Sequence, residues 1–515
     1  MICVTVSRPR HRFMLAECKG MKERGADLIE LRLDALQTVP DVKLLLKDRP
    51  CPILITCRRE EDGGRSKRSE ADRLILLRTA IFEGADYVDL EYDIAGKVPR
   101  YGKTKRVVSY HNFEKTPDNI EESLDQMSKL DADVLKICTM ANCPSDNVRV
   151  LNLIGKTSIP TIAFCMGPFG TPSRILCGAY GAPWTYASAD ADSAAAPGQI
   201  SFDQVKNLYQ YDYIKKTTPV FGVIADPVAH SMSPLIHNTA YVDQEVDAVY
   251  LPFLVEPDQL ETFLKQDAPA LNVKGLSVTI PHKVNVIRYL NFADPAVLKI
   301  GACNTIVWKD GKRYGYNTDY QAAMDAISGI FGWKEPLKIL PSEEGLPDRC
   351  NEQPMTGKVA LILGAGGVAK AVATGLSLRG ADLIITDIDS QRAFDLAQKL
   401  GGKAVAWDKR ADFDFDLAVN CTPVGMYPKA NNSPFDPEKM NAYSTSKPLG
   451  AFDCVYNPED TLFLKSARKK NWKTASGLDM FAHQAELQYR LFLHQPAPVE
   501  VMKDAVRQAT AQSRW

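Results

Sequence analysis

Lys136 lies in the middle of an apolar run, DVLKICT (133–139), and His111 closes another, KRVVSYH (105–111). A lysine in such a run is desolvated, paired with an acid, or both, and desolvation moves its amine toward the neutral, nucleophilic form. A neutral amine attacks a ketone to give an imine, which acidifies the neighbouring carbon. Histidine is suited to take that proton and later to protonate a leaving hydroxyl. Charged residues also mark other run ends: Glu30, Arg32, Arg58, Glu91 and, after the seventh run, Arg174. Arginines such as Arg58 and Arg174 suit a substrate carboxylate, held through two parallel hydrogen bonds. Taken singly, the lysine could equally snorkel at a strand end and the histidine sit satisfied in a polar layer.

A second constellation lies beyond residue 219. VIADPVAHSMSPLIHN (223–238) sets Ser231 and Ser233 two residues apart just before a helix, as caps or as hydroxyls for a carboxylate. KVALILGAGGVAKAVATGL (358–376) reads as strand, glycine turn and helix, and LIITDIDS (383–390) as a second strand ending in acidic residues. That is the dinucleotide-binding arrangement, in which glycines permit close backbone approach and the helix N-terminus faces the pyrophosphate. The spacing Gly364-x-Gly366-Gly367 departs from the strict G-x-G-x-x-G form.

These residues need elements to position them. Residues 1–213 alternate eight β-branched runs (2–7, 28–33, 52–58, 87–91, 105–111, 133–139, 160–166 and 184–188) with helical stretches such as Leu74, Leu77, Ile81. Eight such repeats predict a (β/α)8 TIM barrel, whose active site lies at the C-terminal strand ends; the alternative is an open α/β sheet. A linker at 213–219 precedes the second β/α series, and the polar, Pro-rich segment 334–357 reads as an inserted loop.

Composition narrows the class. The 515 residues carry 62 Lys+Arg against 63 Asp+Glu, a net charge of −1, without the basic runs that nucleic acid or anionic membrane would call for. No apolar stretch is long enough to span a membrane. The twelve cysteines form no CxxC pair and read as reduced, buried thiols, so neither a disulfide framework nor a metal site is expected. The N-terminus enters a strand directly, so the expected location is cytoplasmic.

The motifs ELRLD (30–34), TCRREEDGG (56–64), SYHNF (109–113), LKI (135–137) and APGQI (196–200) resemble type I 3-dehydroquinate dehydratase, in order over residues 1–213. The resemblance implies that Lys136 forms a Schiff base with the substrate ketone and that His111 is the general acid/base of a syn elimination of water. It implies substrate contacts at Thr5, Glu30, Arg32, Arg58, Arg174 and Gln199. Ala195 and Thr5 stand where many or some relatives carry serine.

Beyond the linker, LSVTIPHKV (276–284), IGACNTIV (300–307), GYNTDYQ (315–321), NCTPVGM (420–426), DCVYNPEDT (453–461) and GLDMFAHQAE (477–486) resemble shikimate dehydrogenase. That resemblance implies a two-lobed unit: a shikimate-binding domain over 219–333 and a Rossmann NAD(P)-binding domain over 357–495, with a C-terminal helix returning to the substrate domain. Shikimate contacts fall on Ser231, Ser233, Thr279, Asn304, Asp319, Tyr456 and Gln484, and Lys283 with Asp319 forms the pair at the reacting hydroxyl. Cofactor contacts fall on Gly364, Ala365, Gly366, Gly367, Val368, Asp387, Arg392, Thr422, Cys454 and Gly477. His230, His282 and His483 border the motifs without an expected role, and Met480 and Phe481 read as helix core. NADP-using members carry Asn-Arg-Thr after the second Rossmann strand; here the run is Asp387, Ile388, Asp389, which suits the free ribose hydroxyl of NAD, although NADP is the family default.

The two resemblances together imply an α/β chain that dehydrates 3-dehydroquinate and then reduces 3-dehydroshikimate to shikimate. The expected partners are small molecules, with no nucleic acid or membrane and a monomer or homodimer as the assembly. The alternatives are an NAD-dependent catabolic quinate/shikimate dehydrogenase fused to a dehydratase, and an inactive regulatory homologue. The second would have shed residues such as Lys136, His111, Lys283 and Asp319, all of which are present.

Overall fold

The computed structural model describes residues 1–333, 353–435 and 450–512, so most of the Pro-rich segment expected as a loop lies outside the described residues. By packing, the chain divides into two compact units. One comprises Met1–Val220, Pro227–Ala229 and Asp247–Val273; the other comprises Phe221–Asp226, His230–Val246 and Lys274–Trp515.

Each of the eight expected runs is a strand: β1 (Ile2–Val6), β2 (Leu28–Arg32), β3 (Ile53–Thr56), β4 (Tyr87–Glu91), β5 (Lys105–Asn112), β6 (Val134–Met140), β7 (Thr161–Met166) and β8 (Thr185–Ser188). The sheet order is β7-β6-β5-β4-β3-β2-β1-β8, and β1 pairs in parallel with both β2 and β8. The first strand thus joins the last, giving a nearly closed barrel in place of the open-sheet alternative. At its remaining seam, Phe164 of β7 meets Tyr186 of β8 at a ring separation of 6.1 Å.

Side chains alternate along a strand, so every second residue enters the barrel. One interior layer is apolar and packed: Cys3, Leu28, Leu54, Val107, Val134, Ile162 and Trp184 form one cluster with Tyr87 against it. Two residues further along each strand come Thr5, Glu30, Thr56, Asp89, Ser109, Lys136, Phe164 and Tyr186, all buried. The same period that fills the floor therefore builds a polar layer above it, toward the C-terminal strand ends.

Beyond residue 219 the chain forms two further sheets. β9 (Val220–Ala225), β10 (Val249–Leu254), β11 (Val273–Val278), β12 (Phe292–Ala293), β13 (Thr305–Lys309) and β14 (Lys312–Tyr316) form a sheet in the order β10-β9-β11-β13-β14-β12. β13 runs antiparallel to β11 and β14. β15 (Val359–Leu363), β16 (Asp382–Thr386), β17 (Lys403–Ala404), β18 (Leu417–Asn420), β19 (Gly450–Asp453) and β20 (Lys473–Ala475) form a parallel sheet in the order β17-β16-β15-β18-β19-β20. That is the doubly wound Rossmann order, with its switch point between β15 and β18. Apolar clusters cover both faces.

Helix Gly477–Leu493 leaves the Rossmann sheet and crosses to the other lobe of its unit. There Gln488 accepts from Ser277 Oγ (2.7 Å) and donates to Thr305 Oγ1 (3.1 Å), and Phe492 stacks on Phe221 at 4.9 Å. A further helix, Val499–Gln512, continues past the boundary expected at 495; it buries Met502 and Val506.

Candidate active sites

In the barrel, one pocket gathers Thr5, Glu30, Arg32, Arg58, His111, Lys136, Arg174 and Gln199, the barrel residues expected to act or to bind. Glu30 accepts from Thr5 Oγ1 (2.9 Å) and Thr56 Oγ1 (2.8 Å), hydroxyls carried by the two neighbouring strands. Gln199 donates to Thr5 Oγ1 (3.2 Å) and accepts from the backbone N–H of Ala195 (2.7 Å). Gly198 permits this loop: its φ is +69°, and a Cβ there would lie 2.6 Å from the carbonyl oxygen of Gly167.

Lys136 is enclosed. Its Nζ lies 3.6 Å from Asp89 Oδ2 and 4.2 Å from the centre of the Tyr186 ring. Asp89 also accepts from Ser109 Oγ (2.6 Å) and pairs with Arg58 (2.7 Å). Burial alone would raise the Asp89 carboxyl, but Arg58, Lys136 and the Ser109 hydrogen bond outweigh it and hold it below its ordinary range. His111 stacks on Phe113 at 6.2 Å. Burial, reinforced by the charges of Arg58, Lys136, Arg32 and Arg59, pushes its imidazole well below the ordinary histidine range. His111 is therefore neutral near pH 7, the form that accepts a proton.

The arginines divide in a way the sequence does not reveal. Arg58 was expected to face a substrate carboxylate, but it is already committed to Asp89, to Glu91 (3.2 Å) and to Ser109 Oγ (2.9 Å). Arg32 forms a two-pronged pair with Asp34 at 2.9 and 2.8 Å. Arg73, on helix Glu70–Phe82, pairs with Glu91 at 2.7 Å. Arg174 differs: it is buried, lies over the Phe164 ring at 4.6 Å, and donates to the carbonyl of Pro197 (3.1 Å). Its Nε has no hydrogen-bond partner, and no carboxylate faces it among the described residues. With the Arg32–Asp34 pair set aside, Glu30, Asp89 and Glu91 balance Arg58, Arg73 and Lys136, and Arg174 is the buried charge left over. Such a cation calls for an anion.

In the second unit, Lys283 Nζ donates to Asp319 Oδ2 at 2.6 Å, with both side chains largely buried. Asp319 occupies the first turn of helix Thr318–Phe331, which Asn317 caps by accepting from the N–H of Tyr320. Asn304 fixes the same turn: its Oδ1 accepts from the N–H of Thr318 (2.8 Å) and its Nδ2 donates to Thr318 Oγ1 (2.8 Å). Ser233 opens helix Ser233–Asp243, and Ser231 Oγ accepts its N–H at 3.3 Å. Thr279 leads into the turn before Lys283, Tyr456 stacks on Phe481 at 4.2 Å, and Gln484 donates to the carbonyl of Phe481. Phe481, expected as plain core, thus backs an expected contact residue, whereas Met480 is core.

The glycine turn follows β15. A Cβ on Gly364, whose φ is +104°, would lie 3.2 Å from the backbone of Cys421 and from Thr422 Cγ2; one on Gly367 would lie 2.9 Å from Lys283 Cδ. Helix Gly367–Leu378 begins with no side-chain cap, leaving its first N–H groups free for an anion. Asp387, just past β16, accepts from the N–H of Ala365 (2.6 Å) and of Asp389 (2.9 Å). Arg392 turns to Asp389 (3.2 Å), Ile388 is 87% exposed, and Val368 is partly buried against the sheet. Gly477 is needed where it stands, since a Cβ would come 2.4 Å from the carbonyl oxygen of Val455. Turn, free helix start and strand-end carboxylate together fit a dinucleotide.

Family models match three stretches of the chain. The model for type I 3-dehydroquinase matches residues 2–216, that for the shikimate dehydrogenase substrate binding domain 223–306, and that for the shikimate 5′-dehydrogenase C-terminal domain 477–507. A chloroplastic bifunctional 3-dehydroquinate dehydratase/shikimate dehydrogenase of Arabidopsis thaliana is 35% identical over 97% of this chain and 83% of its own. The chain belongs to this bifunctional family. A shikimate dehydrogenase (NADP(+)) of Oleidesulfovibrio alaskensis is 37% identical over 57% of this chain and 96% of its own. A crystal structure of a shikimate dehydrogenase in complex with NADP+ is 32% identical over 58% of this chain and 97% of its own, with a TM-score of 0.49.

In this member of the bifunctional family, sequence reasoning missed Asp89, Tyr186 and Gln488. Asp89 sits inside an apolar run just as Lys136 does, and that signal could have found it. Tyr186 and Gln488 carry no local signal. An aromatic residue in a strand and a glutamine one turn past Gln484 both look ordinary until the partner strands are in place. No helix among the described residues is long and apolar enough to cross a membrane.

Proposed function

We propose that the barrel dehydrates 3-dehydroquinate and that the second unit reduces the resulting 3-dehydroshikimate to shikimate, two successive steps toward aromatic amino acids. The carrying observation is the barrel pocket, where an enclosed lysine, a neutral histidine and an unbalanced buried arginine converge. In this reading Arg174 holds the substrate carboxylate. Lys136 attacks the ketone and forms an imine with loss of water. His111 removes the proton from the adjacent carbon, then protonates the hydroxyl as it departs. Asp89 and the Tyr186 ring keep the Lys136 amine in place, and hydrolysis of the imine releases product.

In the second unit, Lys283 delivers a proton to the carbonyl oxygen as it becomes an alkoxide, and Asp319 orients Lys283 and restores its charge. Ser231, Ser233, Thr279, Asn304, Tyr456 and Gln484 surround shikimate. Gly364, Ala365, Gly366, Gly367, Val368, Thr422, Cys454 and Gly477 form the bed of the nicotinamide cofactor, which supplies the hydride when bound. Asp387 supports a preference for NAD: its carboxylate suits a ribose 2′-hydroxyl and repels a 2′-phosphate, and Arg392 is engaged by Asp389.

The test follows consumption of reduced cofactor by purified protein given 3-dehydroquinate with NADH or NADPH. Consumption requires both activities in series. Silence that persists with 3-dehydroshikimate overturns the reading of the second unit, whereas rescue by 3-dehydroshikimate overturns that of the barrel. A ratio of catalytic efficiencies strongly favouring NADPH overturns the NAD preference.

A further inference from the structure

Cys421 and Cys454 are the residues immediately after β18 and β19. These strands are parallel neighbours whose last paired residues are Asn420 and Asp453, so the two cysteines leave the sheet side by side. Adjacent strands lie about 4.8 Å apart, within the roughly 4.4–6.8 Å between Cα atoms that a disulfide bridges. Their Sγ atoms are 3.8 Å apart, and both side chains are partly exposed, whereas the cysteine that lines the barrel pocket, Cys138, is buried.

The backbone of this dithiol touches the glycine turn and the start of helix Gly477–Leu493. A Cβ on Gly364 would lie 3.2 Å from the Cys421 carbonyl, and one on Gly477 would lie 2.7 Å from that of Cys454. The bonded Cys421 thiol, then burial, then nearby charges including Asp319 raise the Cys454 thiol well above its ordinary range, so Cys454 stays protonated until its partner is activated. The charge of Asp319, one of the two residues at the reacting hydroxyl, thus reaches the pair.

We propose that Cys421 and Cys454 form a peroxide-sensitive dithiol whose closure to a disulfide stops the reductase while the dehydratase continues. The proposal rests on the assignment of the glycine turn to the nicotinamide cofactor. In the first step Cys421 sulfur attacks hydrogen peroxide: an S–O bond forms, the O–O bond breaks, and hydroxide leaves as water with the thiol proton. In the second, Cys454 sulfur attacks Cys421 sulfur: the S–S bond forms, the S–O bond breaks, and the hydroxyl departs as water with the Cys454 proton. Two thiols are oxidised by two electrons and one peroxide is reduced to two waters. Closure requires the sulfurs to approach from 3.8 Å to about 2 Å, which moves by roughly an ångström each the side chains of two residues whose backbones adjoin Gly364 and Gly477. A displacement of that size in a positioned site costs on the order of 10²-fold in rate.

The experiment uses the full-length protein, reduced with dithiothreitol and freed of it, with both activities measured before and after hydrogen peroxide. Absence of reductase activity in the reduced protein would count against the cofactor assignment itself. With reductase activity present, peroxide is expected to lower it by about 10²-fold, to leave dehydration nearly unchanged, and to yield a linked Cys421–Cys454 peptide pair that dithiothreitol removes together with the inhibition. Each variant is read as the ratio of its own oxidised to reduced activity, and Cys421→Ala is expected to bring that ratio close to one. An insensitive reductase, parallel loss of both activities, inhibition without the linked pair, or a Cys421→Ala variant as sensitive as the parent would each overturn the proposal.

Discussion

The barrel pocket and the reductase site organise charge differently. In the barrel, Arg58, Arg73 and Lys136 pair with Asp89 and Glu91 in one buried network, the charge of Glu30 reaches Arg58, and Arg174 is a further buried cation. In the second unit a single ion pair, Lys283–Asp319, sits among backbone donors and small residues, and Gly364, Gly367 and Gly477 keep space clear. The difference follows from what each chemistry draws from the protein. The covalent dehydration takes its nucleophile, base and anion site from side chains, which must be held charged or neutral by their neighbours. The reduction leaves the hydride to a diffusible cofactor, so the chain supplies a shaped bed and one proton.

The largest expected effect would break this contrast if it failed. Lys136→Ala should abolish dehydration, and borohydride in the presence of 3-dehydroquinate should no longer trap a mass adduct, while reduction of 3-dehydroshikimate stays within about twofold of the parent, as for independent sites. The reciprocal change, Lys283→Ala, should lower kcat for reduction by about 10²–10⁴-fold and leave dehydration alone. Loss of both activities from either substitution would mean the two sites are not independent.

A third substitution tests the barrel network as a network. Asp89→Asn removes the carboxylate shared by Arg58 and Lys136, leaving buried cations undercompensated, a change that costs about 3–5 kcal/mol. Calorimetry should show a lowered unfolding transition, and dehydration should suffer more than reduction. A stability change below about 0.5 kcal/mol, the scale of an ordinary surface substitution, would mean the network is not held together through Asp89.

The smallest effects are read from pH. His111 is held well below its ordinary range by burial and nearby cations, so kcat/KM for dehydration should show no loss of an unprotonated histidine as pH falls through 6.5. His237, in the second unit, is pushed by burial from 6.5 down to about 3, against a raising hydrogen bond with Gln488. Its folded value lies below its unfolded one, so stability is full above the unfolded value. Below about 6.5 the unfolded chain takes up a proton that the folded one refuses, and stability falls by about 1.4 kcal/mol per pH unit for each such histidine until the folded value is reached. Urea unfolding between pH 7 and pH 5 checks the sign; His237→Phe should flatten the dependence of the second unit.

Much of this was legible beforehand, for physical reasons that differ by residue. Lys136 stood out because a charge in an apolar run must be accounted for by partners or function. The eight strands stood out because β-branched runs recur between helical stretches, and the glycine turn because glycine suits the positive φ and close backbone approach seen at Gly364 and the close Lys283 side chain at Gly367. Asp89 escaped because Glu91, two residues on, drew the reading to the end of the strand. Arg58 was placed at the pocket but given a free guanidinium, since its partners Asp89 and Glu91 come from a different strand.

The sequence by itself determined the fold class, the order of the two activities along the chain and the residues at the strand ends. Those follow from local periodicity, which sets the direction in which each side chain points, and from motifs that stay contiguous. Only the tertiary structure decided which charge is spent on another residue and which remains for a ligand. Arg58 and Arg174 are both buried arginines of one pocket, yet among the described residues one faces two carboxylates and the other faces none. That distinction depends on distances of a few ångströms between strands far apart in sequence. In a poorly screened interior, such distances determine whether a charge is already neutralised or still available to bind substrate.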